Sequence, residues 1–225
     1  MMKALVFEVK GSVAHFRRPD TTATQLTYPF ITPTAAKGLI GAILGITDFV
    51  TRDKVGIQLL SPVKTSAQQL SLLGKDSNSQ TFNRPTTIEL LVNPHYRIFY
   101  AGNEYVENAA KKIKNGQSVY PTYLGVAFAL TFPKFIGYYD EVFLMENDEI
   151  IETKSVVPTH LIKELFIEED CCYSRASGFM KHYLGNRTFE KSVSFLYEKE
   201  GRRIRFRRKT DVSEDLIVKI GGESV

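Results

Sequence analysis

The 225-residue chain contains no tryptophan, and its only two cysteines, Cys171 and Cys172, are neighbours. A bridge between adjacent residues is badly strained, and without spaced cysteines there is no disulfide framework, so a reducing cytoplasm is the expected compartment. The four histidines, His15, His95, His160 and His182, stand far apart, and no HxxH, HExxH or CxxC spacing occurs. Neither a zinc centre nor any other cofactor is expected. Long hydrophobic runs are missing too. The longest, residues 38–46, is about half of the roughly 20 residues that a bilayer-crossing helix needs. Charge interrupts the first residues too early for a secretory signal, so no membrane partner is expected. There is no GxxxxGK[ST] phosphate loop and no nucleophile elbow or serine triad.

What the chain does have is enough apolar matter to fold. Hydrophobic residues make up 43% and aromatics 12%, which excludes intrinsic disorder and fits one large domain, or one domain with a small appendage. The net charge of +4 hides an asymmetry: residues 1–138 carry 15 basic against 8 acidic residues, 139–170 carry 2 against 10, and 171–225 carry 12 against 7. A positive field confined to one surface attracts polyanions whatever the total. The acidic stretch is then expected to turn away from nucleic acid or to face a protein partner.

Residues 3–10 alternate Ala4, Val6, Glu8 against Leu5, Phe7, Val9 and predict a buried strand. The clearest helix begins at Pro33, with Thr32 as N-cap, Gly45 as terminator and Ala36, Leu39, Ile40, Ile43 and Leu44 as one apolar stripe. Gly38, Gly41 and Gly45 make a small-residue face for close packing, a better reading of Gly38-x-x-Gly41 than the exposed loop of a KH domain. A second strand is predicted over 55–63, a polar excursion over 66–85, and a strand over 86–100 bent at Asn93-Pro94. A helix over 104–114 capped by Asn103 and a fourth strand over 132–145 complete a β-α-β-(excursion)-β-α-β order, the split βαβ pattern of ferredoxin-like and RRM folds. The tail predicts a helix near 161–169, a loop over 175–186, and strands over 192–199 and 203–209 joined by a tight hairpin at Glu200-Gly201.

Two basic features are candidates for polyanion binding. Strand alternation puts Arg203, Arg205 and Arg207 on one face, with Ile204 and Phe206 inward. Three guanidiniums in a row match a phosphate track, or equally a charged edge strand protected from aggregation. The loop His15-Phe16-Arg17-Arg18 mixes rings that stack on splayed bases with guanidiniums that hold phosphates. The other reading is that Phe16 plugs the core while the arginines face water. The RRM aromatic signature is absent around Tyr96 and Phe99, so ordinary RRM base stacking is not expected.

Four patches of sequence carry a family resemblance. Gly11-x-x-Ala14-His15-Phe16-Arg17-Arg18-Pro19, Leu26-Thr27-Tyr28-Pro29-Phe30 and Pro33-Thr34-Ala35-x-x-Gly38-Leu39-x-Gly41-Ala42-Ile43-Leu44-Gly45 resemble the amino-terminal signature of CRISPR-associated (Cas) family five. These are RAMP-superfamily subunits of the type I Cascade surveillance complex. Pro121-Thr122-Tyr123-Leu124-Gly125 resembles the family's P-x-Y-L-G element. Chain length and the Phe-Arg-Arg-Pro loop resemble subtype I-B.

The resemblance implies an α+β fold: a ferredoxin-like (RRM-like) βαββαβ core over residues 1–148 with a thumb hairpin near 66–85, then a small β-rich extension over 149–225. It implies a CRISPR RNA-binding subunit that grips the 5′ handle of the guide, caps the backbone filament, and contacts the backbone and large subunits. Target DNA is then met only indirectly, through guide pairing. By this resemblance His15, Phe16, Arg17, Arg18 and Tyr28 form the handle pocket, with Lys37 above it and Arg84, His95 and Arg97 as further contacts. One branch of the family is a metal-independent endoribonuclease, which needs a base for a 2′-hydroxyl and an acid or cation at the leaving oxygen. Tyr28 and His95 are the candidates for those roles here, and the only adjacent Lys/His pair, Lys181-His182, lies in the tail. The expected role is non-catalytic RNA binding, with the endoribonuclease and a purely protein–protein scaffold as alternatives.

Overall fold

Apolar alternation at the start of the chain produces β1 (Met2–Lys10), which is followed by the short β2 (Val13–Ala14). In the computed structural model, residues 2–21, 23–76, 78–142 and 150–209 are described. The next element, α1 (Pro33–Leu44), begins and ends on the predicted residues. Thr32 Oγ1 accepts the Ala35 N–H at 3.1 Å, proline occupies the first turn, and Gly45 closes the helix at φ 81°. There follow β3 (Lys54–Leu59), β4 (Thr65–Lys75), β5 (Thr81–Val92), β6 (His95–Gly102), α2 (Val106–Lys114) and β7 (Lys134–Val142). Tyr105, not Asn103, holds the cap position of α2, without a side-chain bond.

The main sheet has the order β3-β6-β1-β7, with every neighbouring pair antiparallel. Taken with the order of helices, this is the ferredoxin-like βαββαβ core. Leu5, Phe7 and Val9 of β1 and Tyr96, Ile98 and Tyr100 of β6 share one core with the apolar faces of α1 and α2. Ala4, Val6, Phe99 and Ala101 form a smaller cluster on the opposite face. Two of the three helix glycines work as predicted: a Cβ at Gly41 would meet Phe49 at 2.8 Å, and one at Gly45 would meet Val119 at 2.7 Å. Gly38 has nothing within 4 Å and leaves the helix surface open instead.

The polar excursion is a long hairpin, β4 with β5, whose base pairs with β2. Residues 86–100 are not one bent strand. Asn93 takes a left-handed φ of 49°, Pro94 cannot donate to a ladder, and the chain divides there between the hairpin sheet and the main sheet.

Beyond the core the chain forms β8 (Ile150–Thr153), β9 (Val157–Pro158), a 3₁₀ turn (Thr159–Leu161), β10 (Ile162–Phe166), β11 (Tyr173–Gly185), β12 (Thr188–Glu198) and β13 (Ile204–Arg208). The helix predicted near 161–169 is thus a 3₁₀ turn and a strand, and the predicted loop over 175–186 is most of β11. Bulges at Ala176/Phe179 and Tyr183/Gly185 break the alternation that marks a strand in sequence. The Glu200-Gly201 turn does not make a hairpin: β12 pairs with β11 and β9, whereas β13 lies between β10 and β8 in a separate sheet. The boundary expected at 148/149 and the last residues of the predicted fourth strand lie outside the described residues.

Phe179 of β11 stacks on Phe30 at 4.9 Å and packs on Tyr28 at 4.3 Å and Phe195 at 5.0 Å. These rings join the same core as β1, α1 and α2.

Candidate nucleic-acid interface

The patches that carry the resemblance meet in space. The His15 N–H donates to the Leu124 carbonyl at 3.1 Å. Gly125, at φ 85°, lies so close beneath the loop that a Cβ there would stand 2.0 Å from the His15 oxygen. The Phe16 N–H donates to Thr27 Oγ1 at 2.9 Å, the Tyr28 N–H to the Phe16 carbonyl at 2.8 Å, and the Arg18 N–H to the Leu26 carbonyl at 2.9 Å. Glu89 of β5 ties the arrangement to the hairpin: its carbonyl accepts from His15 Nδ1 at 2.8 Å, and its carboxylate accepts the Thr27 N–H at 3.1 Å. Nothing in the sequence marks Glu89 for this role, because the pairing spans 74 residues.

The loop segregates its side chains. His15 and Phe16 are only 3% and 5% exposed, and Phe16 packs edge-on against Tyr96. Burial pushes the His15 imidazole below its ordinary pKa, so it stays neutral. Both rings are therefore turned into the protein and leave the loop's arginines as its outward-facing groups. Arg17 is exposed, whereas Arg18 is half-buried and holds Asp20 through two bonds of 3.1 and 2.6 Å.

Tyr28 is buried against Phe179, and its hydroxyl donates to the Gly178 carbonyl at 2.5 Å. Burial pushes this phenol up. His95 and Arg97 lie on the other face of the main sheet, where both converge on Glu8: Nε2 of His95 at 3.1 Å and the Arg97 guanidinium at 2.6 Å. Burial alone would raise the Glu8 carboxyl, but Arg97 and His95 together outweigh it and hold the carboxyl below the usual range. Tyr28 and His95 thus occupy opposite faces of one sheet and do not come together as an acid–base pair. Arg84 is exposed on β5, opposite Leu72 of β4.

Lys37 Nζ donates to the Thr51 carbonyl at 3.1 Å and stands at a cavity of about 390 Å³. Arg52 and Lys54 approach this cavity from the segment entering β3, and Lys181 and His182 from β11. The exposed Arg52 also pairs with Glu190 at 2.8 Å. The Lys181-His182 pair was visible in sequence, but its neighbourhood was not, since the strand that carries it reads as a loop.

The arginine row of β13 alternates as predicted, with Ile204 and Phe206 buried. It is not an exposed edge, because β13 lies between β10 and β8, and its guanidiniums are engaged by carboxylates. Arg203 pairs with Glu168 at 3.2 Å and with Glu152 at 3.5 Å, Arg205 with Glu152 at 3.6 Å, and Arg207 with Glu164 at 3.3 Å. The described part of the acidic stretch therefore neutralises the tail's own basic strand. Among the described residues, no three of His, Cys, Asp and Glu gather as a metal site, and no helix is long and apolar enough to cross a membrane.

Comparison with known proteins follows the same outline. A family profile described as "CRISPR-associated protein (Cas_Cas5)" matches residues 4–126. A chain of a "CRISPR RNA-guided surveillance complex" is 8% identical with a TM-score of 0.57, covering 91% of this chain and 90% of that one. A CRISPR protein from Archaeoglobus fulgidus is 12% identical with a TM-score of 0.54, covering 99% and 100%. A third structure, described as a Cas protein, is 15% identical with a TM-score of 0.50, covering 88% and 95%. At these identities the likeness is one of fold. No curated protein matches the chain.

Proposed function

Since this chain belongs to the CRISPR-associated Cas5 family, whose profile spans residues 4–126, we propose that it is a guide-RNA-binding subunit of a Cascade-type complex. In this reading it holds the 5′ handle, caps the backbone filament and lies beside the large subunit, in the cytoplasm. The observation that carries the reading is the loop at residues 15–28. Its backbone is pinned to Leu124 and Thr27, its rings are anchored inside, and Arg17 and Arg18 are left at the surface. A rigid mount for guanidiniums lowers the entropy cost of gripping a phosphate and carries no base preference of its own. The fold similarity to a chain of an RNA-guided surveillance complex supports the assembly. The subtype I-B reading rests on chain length and the Phe16-Arg17-Arg18-Pro19 loop.

The role is that of a binding subunit and not a nuclease. General acid–base cleavage needs two groups within reach of one phosphodiester. Here the Tyr28 hydroxyl is engaged by Gly178, and His95 is engaged by Glu8 across the sheet.

The test is expression with the other subunits of the complex, followed by sequencing of the 5′ ends of co-purified small RNA. A single repeat-derived 5′ end is expected, reduced in the Arg17→Glu/Arg18→Glu variant. Random ends, or retention indifferent to both arginines, would overturn the reading. Incubation of the purified chain with repeat RNA in EDTA is expected to leave the RNA intact, and specific cleavage would replace the binding role with an enzymatic one.

A further inference from the structure

Between α2 and β7 the chain doubles back on itself. The Thr131 N–H donates to the Thr122 carbonyl at 3.0 Å and the Leu124 N–H to the Ala129 carbonyl at 2.8 Å, which closes a short hairpin. Its inner side is buried: Leu124, Ala129 and Thr131 face the protein, Leu124 and Gly125 back the arginine loop, and Thr131 Oγ1 donates to the Lys10 carbonyl at 2.9 Å. On the outer side Tyr123 and Leu130 stand opposite each other as a bridged antiparallel pair, and Phe128, Leu130 and Phe132 alternate with the buried Ala129 and Thr131. Alternation that elsewhere drives apolar residues into the core here turns them into water. Phe132 is 84% exposed, Phe128 60% and Tyr123 46%. At about 150–250 Å² for a whole aromatic residue, these three rings alone leave roughly 300–500 Å² uncovered. That is the size of the largest apolar patch on a typical monomer, before the exposed Leu130 and Ile136 are added.

The surroundings of this row select its occupant. Residues 108–139 contain four lysines and no carboxylate. Lys10 is tied to the hairpin through Thr131, Lys134 follows Phe132 by two positions, and Lys114 Nζ lies 5.9 Å from the centre of the Phe135 ring. The rim is thus of one sign. Two copies of the face would set lysine against lysine, which disfavours self-association. A nucleic acid matches the charge but not the surface. Bases stack on rings, whereas the aliphatic Leu130 stands between the exposed rings and offers no face to stack on. An apolar centre within a polar rim is the anatomy of a protein interface.

We propose that the outer face of this hairpin, formed by Tyr123, Phe128, Leu130 and Phe132, is the docking surface for a different protein subunit that presents apolar side chains within an acidic rim. The inference rests on the assembly reading above, not on the RNA grip, and deepens it by giving one subunit contact its place in the chain. RNA and protein then occupy opposite sides of one hairpin, with the arginine loop mounted behind the face that the other subunit covers.

The experiment is co-expression of the full chain with the other subunits of the complex, with each subunit and the small RNA quantified after purification. Phe132→Asp and Leu130→Asp are each expected to lower recovery of one other subunit about tenfold or more, the loss of an interface hot spot, while Phe132→Leu keeps most of it. Lys134→Glu is expected to lose less, with a deficit that narrows as salt rises. Ile167→Asp, at a well-exposed apolar residue of the tail, is expected to change nothing. All these positions are at the surface, so equal melting temperatures of the isolated variants separate lost docking from lost folding. Full recovery of every subunit with both aspartate variants overturns the proposal. So does an isolated chain that sediments as a dimer dissolved by Phe132→Asp, which makes the occupant a second copy. RNA binding by the isolated chain that falls with Phe132→Asp while assembly holds overturns it too, in favour of RNA. If recovery depends on Phe132 but RNA retention ignores Arg17 and Arg18, the docking face stands and the RNA grip falls. If RNA retention depends on Arg17 while assembly ignores Phe132, the docking face alone falls.

Discussion

The two arginines of the signature loop should not contribute equally to RNA binding, and salt can weigh them. Arg17 is exposed, and its guanidinium donates a long hydrogen bond of 3.4 Å to the Thr21 carbonyl. Arg18 is already held by both oxygens of Asp20. Each phosphate neutralised on a single strand contributes about 0.7 to the slope of log affinity against log salt. Arg17→Glu should therefore flatten that slope by about 0.7, and Arg18→Glu by less, because the wild-type guanidinium must first leave Asp20. Removing two full contacts would flatten it by at most about 1.4, so the gap between wild type and double variant should close by up to about sevenfold from 50 to 200 mM salt. Asp20→Asn acts the other way: it releases Arg18, steepens the slope by up to about 0.7 and tightens binding at low salt. Filter binding or fluorescence anisotropy with repeat-derived RNA over a salt series gives all five slopes. Parallel lines for wild type and Arg17→Glu would show that the loop touches no phosphate, and weaker binding by Asp20→Asn would refute the ranking.

Other perturbations test the framework. Phe179→Ala empties a site ringed by Tyr28, Phe30 and Phe195 and should cost about 3–5 kcal/mol. That is a fall of roughly 6–20 °C in melting temperature, against little change for Phe132→Ala, which is 84% exposed; a loss under about 1 kcal/mol would contradict the docking of β11 on the core. The Glu8 carboxyl is held low in the folded state, so its contribution is complete above the unfolded pKa of about 4.3 and disappears as pH falls through the lower folded value. Urea unfolding at stepped pH should show this acid loss in the wild type and a flatter limb in Glu8→Gln. Gly125→Ala meets both a left-handed backbone and the His15 oxygen and should cost more than the about 1–2 kcal/mol expected of Gly116→Ala, where only the backbone resists. Equal losses by thermal melting would show that Gly125 is not pressed under the loop.

Local signals in the sequence were enough for the first helix and the strand order around it. Thr32, Pro33 and Gly45 are capping residues acting within one turn, and the apolar stripe of α1 has a helical period. The tail was misread where geometry interrupts periodicity. In β11, Gly178 and His182 both take positive φ, so the strand bulges and the polar and apolar residues lose their alternation. For the interface, charge type was legible but partnership was not. The loop arginines are surface groups as expected, yet Asp20 engages Arg18, and Glu152, Glu164 and Glu168 engage the row of β13. Ion pairs between residues up to about 50 positions apart follow from sheet register, which residue type alone does not encode. The same holds for the cavity, whose cations share no motif and become neighbours only when β11 closes over α1.

The seam of rings around Phe30 bears on how the protein is made. The partners of Phe30, Phe179 at 4.9 Å and Phe195 at 6.0 Å, are synthesised about 150 residues after it. Until they leave the ribosome, the βαβ unit carries an unfilled greasy seat beside its first helix, a state prone to capture by chaperones or by other nascent chains. Truncated versions ending before β11 should therefore be recovered as aggregates, and versions that include β11 and β12 should gain solubility abruptly, not gradually, with chain length.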